Sequence, residues 1–484
     1  MPPKLEFLSQ DLVNRVLDEA FQLLLKPGIK VQLAQARDLL AEAGAQLDGD
    51  IAKIPEKVVR QALESAPSTF YLHDRDGQPA VTYGGDHVHF DPGSSGVHML
   101  DPDTLEHKPS EAADLIRLVK VTEMLPQYAA QSTAVVCNEI PKAIGDLYRL
   151  YLVLWYSKKP IVTGAFSIET LGAMIDMLAI FAGNRAALAQ KPQAVFDVCP
   201  SPPLIWSEFG AQNLIDLARA RVPAQMVSMP LAGAAAPVTL LGSVVQHAAE
   251  SLSGLTIHQL AQPGAPIVWG GAPAIFDMRK GTTPMGAIET ALLDAAYTQV
   301  GKSLHLPTHT YLGASDAKVV DAQAGLESGL TALVGALAGI NMISGAGMLD
   351  FLACHSAEKL VIDAEAIAMA QRLLAGVNVH TDTLATMFYE AFNFRGDFLK
   401  QKVTRELFAK EQYLPSPVID RDSIRGWQAA GCQDAFSRAK ARVGQLLAAY
   451  QRPSLVTEQE RELKGLVETL ARQAGLESLP TLPD

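Results

Sequence analysis

The sequence predicts an α/β protein, a (β/α)8 TIM barrel with an N-terminal α+β region and a C-terminal helical extension. Three observations carry this. From about residue 126, short apolar runs alternate with helical segments of roughly ten to twenty residues, the alternation of a parallel sheet. Seven such units, with an eighth read near Val377 to His380, match the length and rhythm of a closed barrel. No GxGxxG opens the first βα turn, which removes the usual sign of a dinucleotide site in an open doubly wound sheet, the runner-up architecture.

The elements follow in order. Ser9 to Leu25 has helical periodicity, with Leu12, Val16, Ala20, Leu23 and Leu24 on one face. A second helix fits Val31 to Ala43, closed by Gly44, and Pro55 opens a third that runs to about Glu64. Thr69 to His73, Ala80 to Phe90 and Ser95 to Leu100 read as short strands between Gly-containing turns. Ser110 with Glu111 starts a helix to about Thr122. The candidate barrel strands are Tyr128 to Val136, Pro160 to Phe166, Ala194 to Cys199, Ala224 to Met229, Pro266 to Trp269, Thr308 to Leu312 and Ile340 to Ile343. The helices that follow them are Ile140 to Tyr156, Ile168 to Ala182, Trp206 to Arg219, Val238 to Ala261, Met285 to Lys302, Ala322 to Leu337 and Ser356 to Leu374. The implied divisions are 1–125 for the N-terminal region, 126–400 for the barrel and 401–484 for the helical extension.

Composition narrows the function. Of 484 residues, 48% are hydrophobic and 19% charged, enough for a sizeable core. A net charge of −12 argues against broad contact with nucleic acid or an anionic membrane, since phosphate binding needs a basic surface. Cys137, Cys199, Cys354 and Cys432 share no CxxC spacing, so neither a structural zinc site nor a disulfide framework is expected. The N-terminus has no apolar run of the signal-peptide kind, and stretches such as Leu330 to Ile343 are too short to span a bilayer. A soluble, cytoplasmic homo-oligomer is the expectation.

The chemistry-bearing stretch is Ile340 to Glu365, INMISGAGMLDFLACHSAEKLVIDAE. A short strand breaks at Gly345 and Gly347 into a loop with Asp350, Phe351, Cys354 and His355, then enters a helix. Barrel enzymes place their chemistry in such loops at strand C-termini. Gly270 to Gly281 carries Asp277 and Arg279, a pair that either holds a substrate carboxylate or pins the loop. Gly313 to Ser328 places Ser315, Asp316 and Lys318 after a strand. Asp316 either faces the barrel mouth or, like Ser315, caps the next helix. Met229 to Ser243, MPLAGAAAPVTLLGS, either admits a bulky ligand or packs strand against helix. Eleven histidines show no HExxH spacing, so no bound metal is expected, and His355 stands out only by its loop. Phe166, Trp269, Tyr311 and Phe351 lie at strand ends. Each alone reads as core; together they would box a quaternary ammonium ion, each ring face worth about 0.5 to 2 kcal/mol.

These pieces resemble the trimethylamine:corrinoid methyltransferase family, in particular its branch without pyrrolysine, to which glycine betaine methyltransferases belong. The likeness runs from LSQDLVNRVLDEAFQLLLKPGIKV to about Arg405. It is most specific in MPLAGAAAPVTLLGS, PGAPIVWGGAPAIFDMRKG, GASDAKVVDAQAGLES and GINMISGAGMLDFLACHSAEKLVIDAE. The resemblance implies a TIM barrel that moves a methyl group to the cobalt of a corrinoid (cobalamin) carried by a separate partner protein. In the trimethylamine enzymes pyrrolysine lies just after GAGML. Here that loop reads DFLACHSAEK, with Cys354 or His355 near the position, so a quaternary amine such as glycine betaine is the implied substrate. Relatives also show a His-Thr pair where this chain has Val403-Thr404. On this reading Phe166, Trp269, Tyr311 and Phe351 box the cation and Arg279 meets a substrate carboxylate. Asp316 adds negative charge, and His355 contacts the corrinoid or orients the substrate. The other readings are a non-catalytic betaine-binding barrel, a tertiary methylamine methyltransferase, and a lyase or aldolase barrel using Lys318 for a Schiff base.

Overall fold

The apolar runs form one ring of parallel strands. In the computed structural model residues 3–390, 394, 398–476, 478–480 and 482 are described. The strands are β1 (His89–Pro92), β2 (Gln131–Ser132), β3 (Ile161–Thr163), β4 (Ala194–Val198), β5 (Ala224–Met226), β6 (Ile267–Gly271), β7 (Thr308–Thr310) and β8 (Met342–Ala346). They run β1-β8-β7-β6-β5-β4-β3-β2 around the sheet. The ring closes where Ala129 N–H donates to the Phe90 carbonyl at 2.9 Å and Gly96 bridges Val135 in parallel.

Each strand feeds a helix: α1 (Ala112–Glu123), α2 (Gly145–Tyr156), α3 (Ile168–Ala182), α4 (Glu208–Ala220), α5 (Leu240–Ala261), α6 (Ile288–Ser303), α7 (Ala322–Leu337) and α8 (Ala357–Leu374). Short polar residues set several starts. Ser167, Ser207, Asp321 and Ser356 accept backbone N–H bonds as caps of α3, α4, α7 and α8. Because each cap ends a strand-to-helix loop, the polar side chains collect at one rim. The cap of α7 is Asp321, not Ser315 or Asp316.

One expectation is overturned. The eighth strand of the ring is His89–Pro92, from the stretch read as an N-terminal α+β region, so the barrel begins well before residue 126. Val377 to His380 forms no strand, and Val377 and Val379 are exposed. The short run HFDP is a weak strand signal; its partners, β8 and the β2 edge, lie far along the chain.

The lower end of the barrel is plugged. A hairpin of Phe70–His73 and Pro79–Tyr83 stacks Phe70 on Tyr83, ring centroids 4.9 Å apart. It packs on Ala130, Val162, Val195, Val268 and Met342 inside the ring. The N-terminal helices Gln10–Leu25 and Glu56–Ser65 pack outside, on α5. Near the other terminus, Ala435–Ala449 lies against α8 and α1, and Thr457–Gln473 against α2 and α3. No helix among the described residues is long and apolar enough to cross a membrane.

Candidate active site

Alternation along the strands decides what enters the barrel. Above the apolar plug the inward positions turn polar: Asp91 on β1, Asp197 on β4, Gln225 on β5, His309 on β7 and Ser344 on β8. The Ser344 hydroxyl donates to Asp91 Oδ1. With that proton committed, the 3.0 Å bond to His309 runs from its Nε2–H to Ser344 Oγ. Asp91 Oδ2 and His309 Nδ1 keep no partner. Burial pushes the Asp91 carboxyl well above the usual range and drives His309 down to about 3.

A second set reaches the mouth. Gln225 Nε2 donates to Asp197 Oδ1 at 2.6 Å, and the Tyr311 hydroxyl donates to Asp197 Oδ2 at 2.6 Å. Tyr83, from the plug, donates to Gln225 Oε1 at 3.1 Å. Burial raises Asp197 to about 6, while its Tyr311 and Gln225 bonds favour the ionised form. Asp197 and Tyr311 are only half-buried, and Cys199 at the end of β4 is exposed to solvent. Cys199 nonetheless lies deep within protein, and its thiol is pushed up to about 12. Deep side chains that solvent still reaches mark a concave mouth at the C-terminal ends of β4 and β7.

Around Tyr311 the wall turns apolar. Val227, Ala272, Ala274 and Met285 cluster there, with Leu231, Tyr311 and Leu352 packed against them. Leu352 arrives on an unusual turn. Asp350, Phe351 and Leu352 have φ of 50°, 56° and 68°, three successive non-glycine residues in the left-handed region. Such a conformation costs about 1–2 kcal/mol per residue, so the surrounding contacts must hold it.

The sequence-predicted residues do not converge into a four-ring box. Trp269 is fully buried and points outward, toward the helices; its Nε1–H donates to the Tyr297 carbonyl on α6 at 2.9 Å. A Cβ on Gly301 of α6 would meet the Trp269 ring at 2.4 Å, so this ring is strand-to-helix packing. Phe166 is at the rim and 50% exposed, but the Arg149 guanidinium already lies 4.4 Å from its centroid. Phe351 carries Lys318 Nζ at 3.7 Å. A ring with a cation on one face attracts a second cation weakly on the other. Of the four rings, Tyr311 alone hydrogen-bonds a carboxylate at the mouth, Asp197.

The charged candidates are also committed. Both Asp316 oxygens accept backbone N–H bonds, from Met285 at 2.8 Å and Gly286 at 3.0 Å, which ties the loop after β6 to β7. Desolvation raises its carboxyl to about 6. Arg279 grips Asp277 with two bonds, Nε to Oδ1 at 3.0 Å and Nη2 to Oδ2 at 2.8 Å, and its side chain is 87% exposed. That bidentate contact holds Asp277 down to about 2. The pair pins its loop. Lys318 is spent on Asp350, at 3.2 Å, and on the Asp316 carbonyl, at 2.6 Å. His355 is fully buried, both ring nitrogens lack partners, and burial drives it down to about 3. Cys354, beside it, is buried and its thiol is raised to about 12. Among the described residues no group of three or more His, Cys, Asp or Glu is arranged to hold a metal ion.

Asp91, Asp197 and Arg149 escaped the sequence reading. The available signal was a carboxylate inside an otherwise apolar strand, AVFDV for Asp197 and HFDP for Asp91.

A family model described as trimethylamine methyltransferase (MTTB) matches residues 1–475. The chain belongs to this family. Similar relatives include the trimethylamine methyltransferase MttB2 of Methanosarcina mazei, 31% identical, covering 97% of this chain and 96% of that protein. The trimethylamine methyltransferase MttB of Desulfitobacterium hafniense is 28% identical, covering 97% and 94%. A glycine betaine methyltransferase of Desulfitobacterium hafniense is 28% identical, covering 98% and 99%. Among solved structures, the monomethylamine methyltransferase MtmB of Methanosarcina barkeri superposes with a TM-score of 0.53 at 12% identity, covering 98% of this chain and 89% of that one. That likeness supports the barrel fold alone. Membership makes this MTTB-family chain a methyltransferase, and its mouth is the place to look for the methyl donor.

Proposed function

We propose that this methyltransferase takes a methyl group from a quaternary amine, glycine betaine or a related betaine, and delivers it to the Co(I) of a corrinoid on a separate protein. The observation that carries the reading is the Asp197 carboxylate, held by Gln225 and by Tyr311, whose ring packs on the apolar cluster of Val227 and Ala272 that Leu352 also joins. A quaternary nitrogen has no N–H to satisfy. It needs negative charge at short range and apolar walls for its methyl groups, and this corner supplies both.

The corrinoid, when its carrier docks, supplies a strongly nucleophilic cobalt. Its approach fits an apolar rim: Phe166, Met229, Val238 and Met278 are exposed around the strand ends. The chain's own task is binding and alignment. Asp197 and Tyr311 would fix the nitrogen, and Leu352 with the Val227 cluster would exclude water and turn one methyl outward. The leaving group is a neutral tertiary amine, so no residue has to donate a proton. In this reading Asp197 takes the role expected of Asp316, whose oxygens are spent on backbone N–H groups.

The trimethylamine methyltransferases among the relatives favour a second reading, a tertiary amine substrate. Purified protein, a reduced corrinoid carrier and single amines decide it by the cobalt absorption band. Methyl-cobalt from glycine betaine or another betaine supports the proposal. Methyl-cobalt from trimethylamine alone replaces it with the second reading. Calorimetric uptake of betaine without methyl transfer would leave a binding protein.

A further inference from the structure

Arg149 is a fully buried cation. It lies on α2. Its Nη1 reaches Ser95 Oγ at 3.1 Å and its Nη2 reaches Thr133 Oγ1 at 3.3 Å, while Nε has no partner. Among the described residues no carboxylate lies within ion-pair distance of it. Other buried or half-buried cations differ: Lys359 has Asp363 at 2.6 Å and Arg117 has Glu358 at 2.6 Å. The nearby carboxylate, Asp146, is used up; it accepts from Leu147 N–H, Phe166 N–H and Thr170 Oγ1–H. An uncompensated buried charge is costly, and two hydroxyl contacts leave a guanidinium's five donors mostly unused.

The location gives this charge a use. Ser95, Thr133 and Phe166 follow β1, β2 and β3, so Arg149 lies behind the same rim that carries Asp197 and Tyr311 on its β4 and β7 side. The rim therefore has a buried guanidinium behind its β1–β3 side and the Asp197 carboxylate on its β4 side. The Phe166 ring, stacked on the guanidinium and half exposed, covers it, and Asp146 fixes that ring's backbone.

We infer that Arg149 is the carboxylate-binding residue of this site, reached when the Phe166 ring turns aside, so that the ligand is a zwitterion with its ammonium end at Asp197. This rests on the quaternary-amine reading above and narrows it to amines that carry a carboxylate. A guanidinium matches a carboxylate with two parallel N–H bonds, which a point charge does not. The contact replaces the missing anion only when ligand is present, so it favours betaines over cations of the same head group.

Calorimetry on the whole protein tests this with three probes: glycine betaine, its methyl ester, and tetramethylammonium. The wild type should bind glycine betaine about 10- to 100-fold tighter than the other two. Arg149→Gln should remove that margin and leave tetramethylammonium affinity within about threefold, while Arg149→Lys restores part of it. Equal loss of all three ligands in Arg149→Gln, or a wild type that binds the ester as tightly as the betaine, overturns the inference. The ester comparison needs no variant, so it decides even if Arg149→Gln fails to fold. A wild type that binds none of the three overturns the quaternary-amine reading itself; one that binds all three equally overturns only the role of Arg149.

Discussion

At the scale of single residues, the proposed amine site depends on Asp197. Its carboxylate must be ionised to hold a cation, and burial places its titration near 6. Affinity for tetramethylammonium should therefore be full at pH 8 and fall as pH drops through about 6. Asp197→Asn should bind at least about tenfold more weakly at pH 8 and lose the pH dependence, both read by calorimetry. The same group acts oppositely on stability. A folded-state value above the unfolded one means the native state binds the extra proton, so Asp197's own contribution to stability rises as pH falls from 6 toward 4. The difference between wild-type and Asp197→Asn melting points across that window checks the sign. Arg279 makes the contrast. It is exposed and, among the described residues, paired only with its neighbour Asp277, so Arg279→Ala should leave the melting point and betaine affinity unchanged. A marked loss of affinity would return Arg279 to the site. Both residues sit near strand ends in the sequence, and only burial separates them.

At the scale of elements, the segment after β8 carries the most constraint. Gly347 has φ +82°, and a Cβ there would fall 2.2 Å from His355 Cε1. Gly347→Ala should cost about 2–4 kcal/mol, seen as a lower urea midpoint with unchanged slope. The strand Met348–Leu349 then pairs with Cys354–His355, and the left-handed turn between them delivers Leu352 to the mouth. The sequence marked this segment by its glycines, but it pointed to His355 and Phe351. The element buries His355 under Gly347 and turns Phe351 onto Lys318. Strand position alone does not say which way a side chain points. One residue of shift exchanges barrel interior for the helix layer, which is how Trp269 on β6 came to face α6.

At the scale of the molecule, closure depends on residues far apart in the chain. β1 joins β8 across some 250 residues, and the hairpin beneath it plugs the ring. A fragment of residues 126–484 lacks both, and would expose the edges of β2 and β8. It should aggregate or melt without a cooperative transition on circular dichroism, where the whole chain melts cooperatively. A sharp transition in the fragment would mean the seven remaining strands fold by themselves. Much of the architecture was legible because strand-helix rhythm and capping residues are local. Seven of the eight strands came from apolar runs near their true places, and most helices from 3.6-residue periodicity. The amino-acid order by itself determined the barrel class, the family and the rim where polar loops gather. Only tertiary structure decided that His89–Pro92 closes the ring, that Tyr311 bonds the Asp197 carboxylate, and that Arg149 lies buried with no carboxylate at ion-pair distance among the described residues. Those are facts about neighbours distant in sequence. Burial, charge pairing and the direction of a side chain exist only once the strands have been brought together.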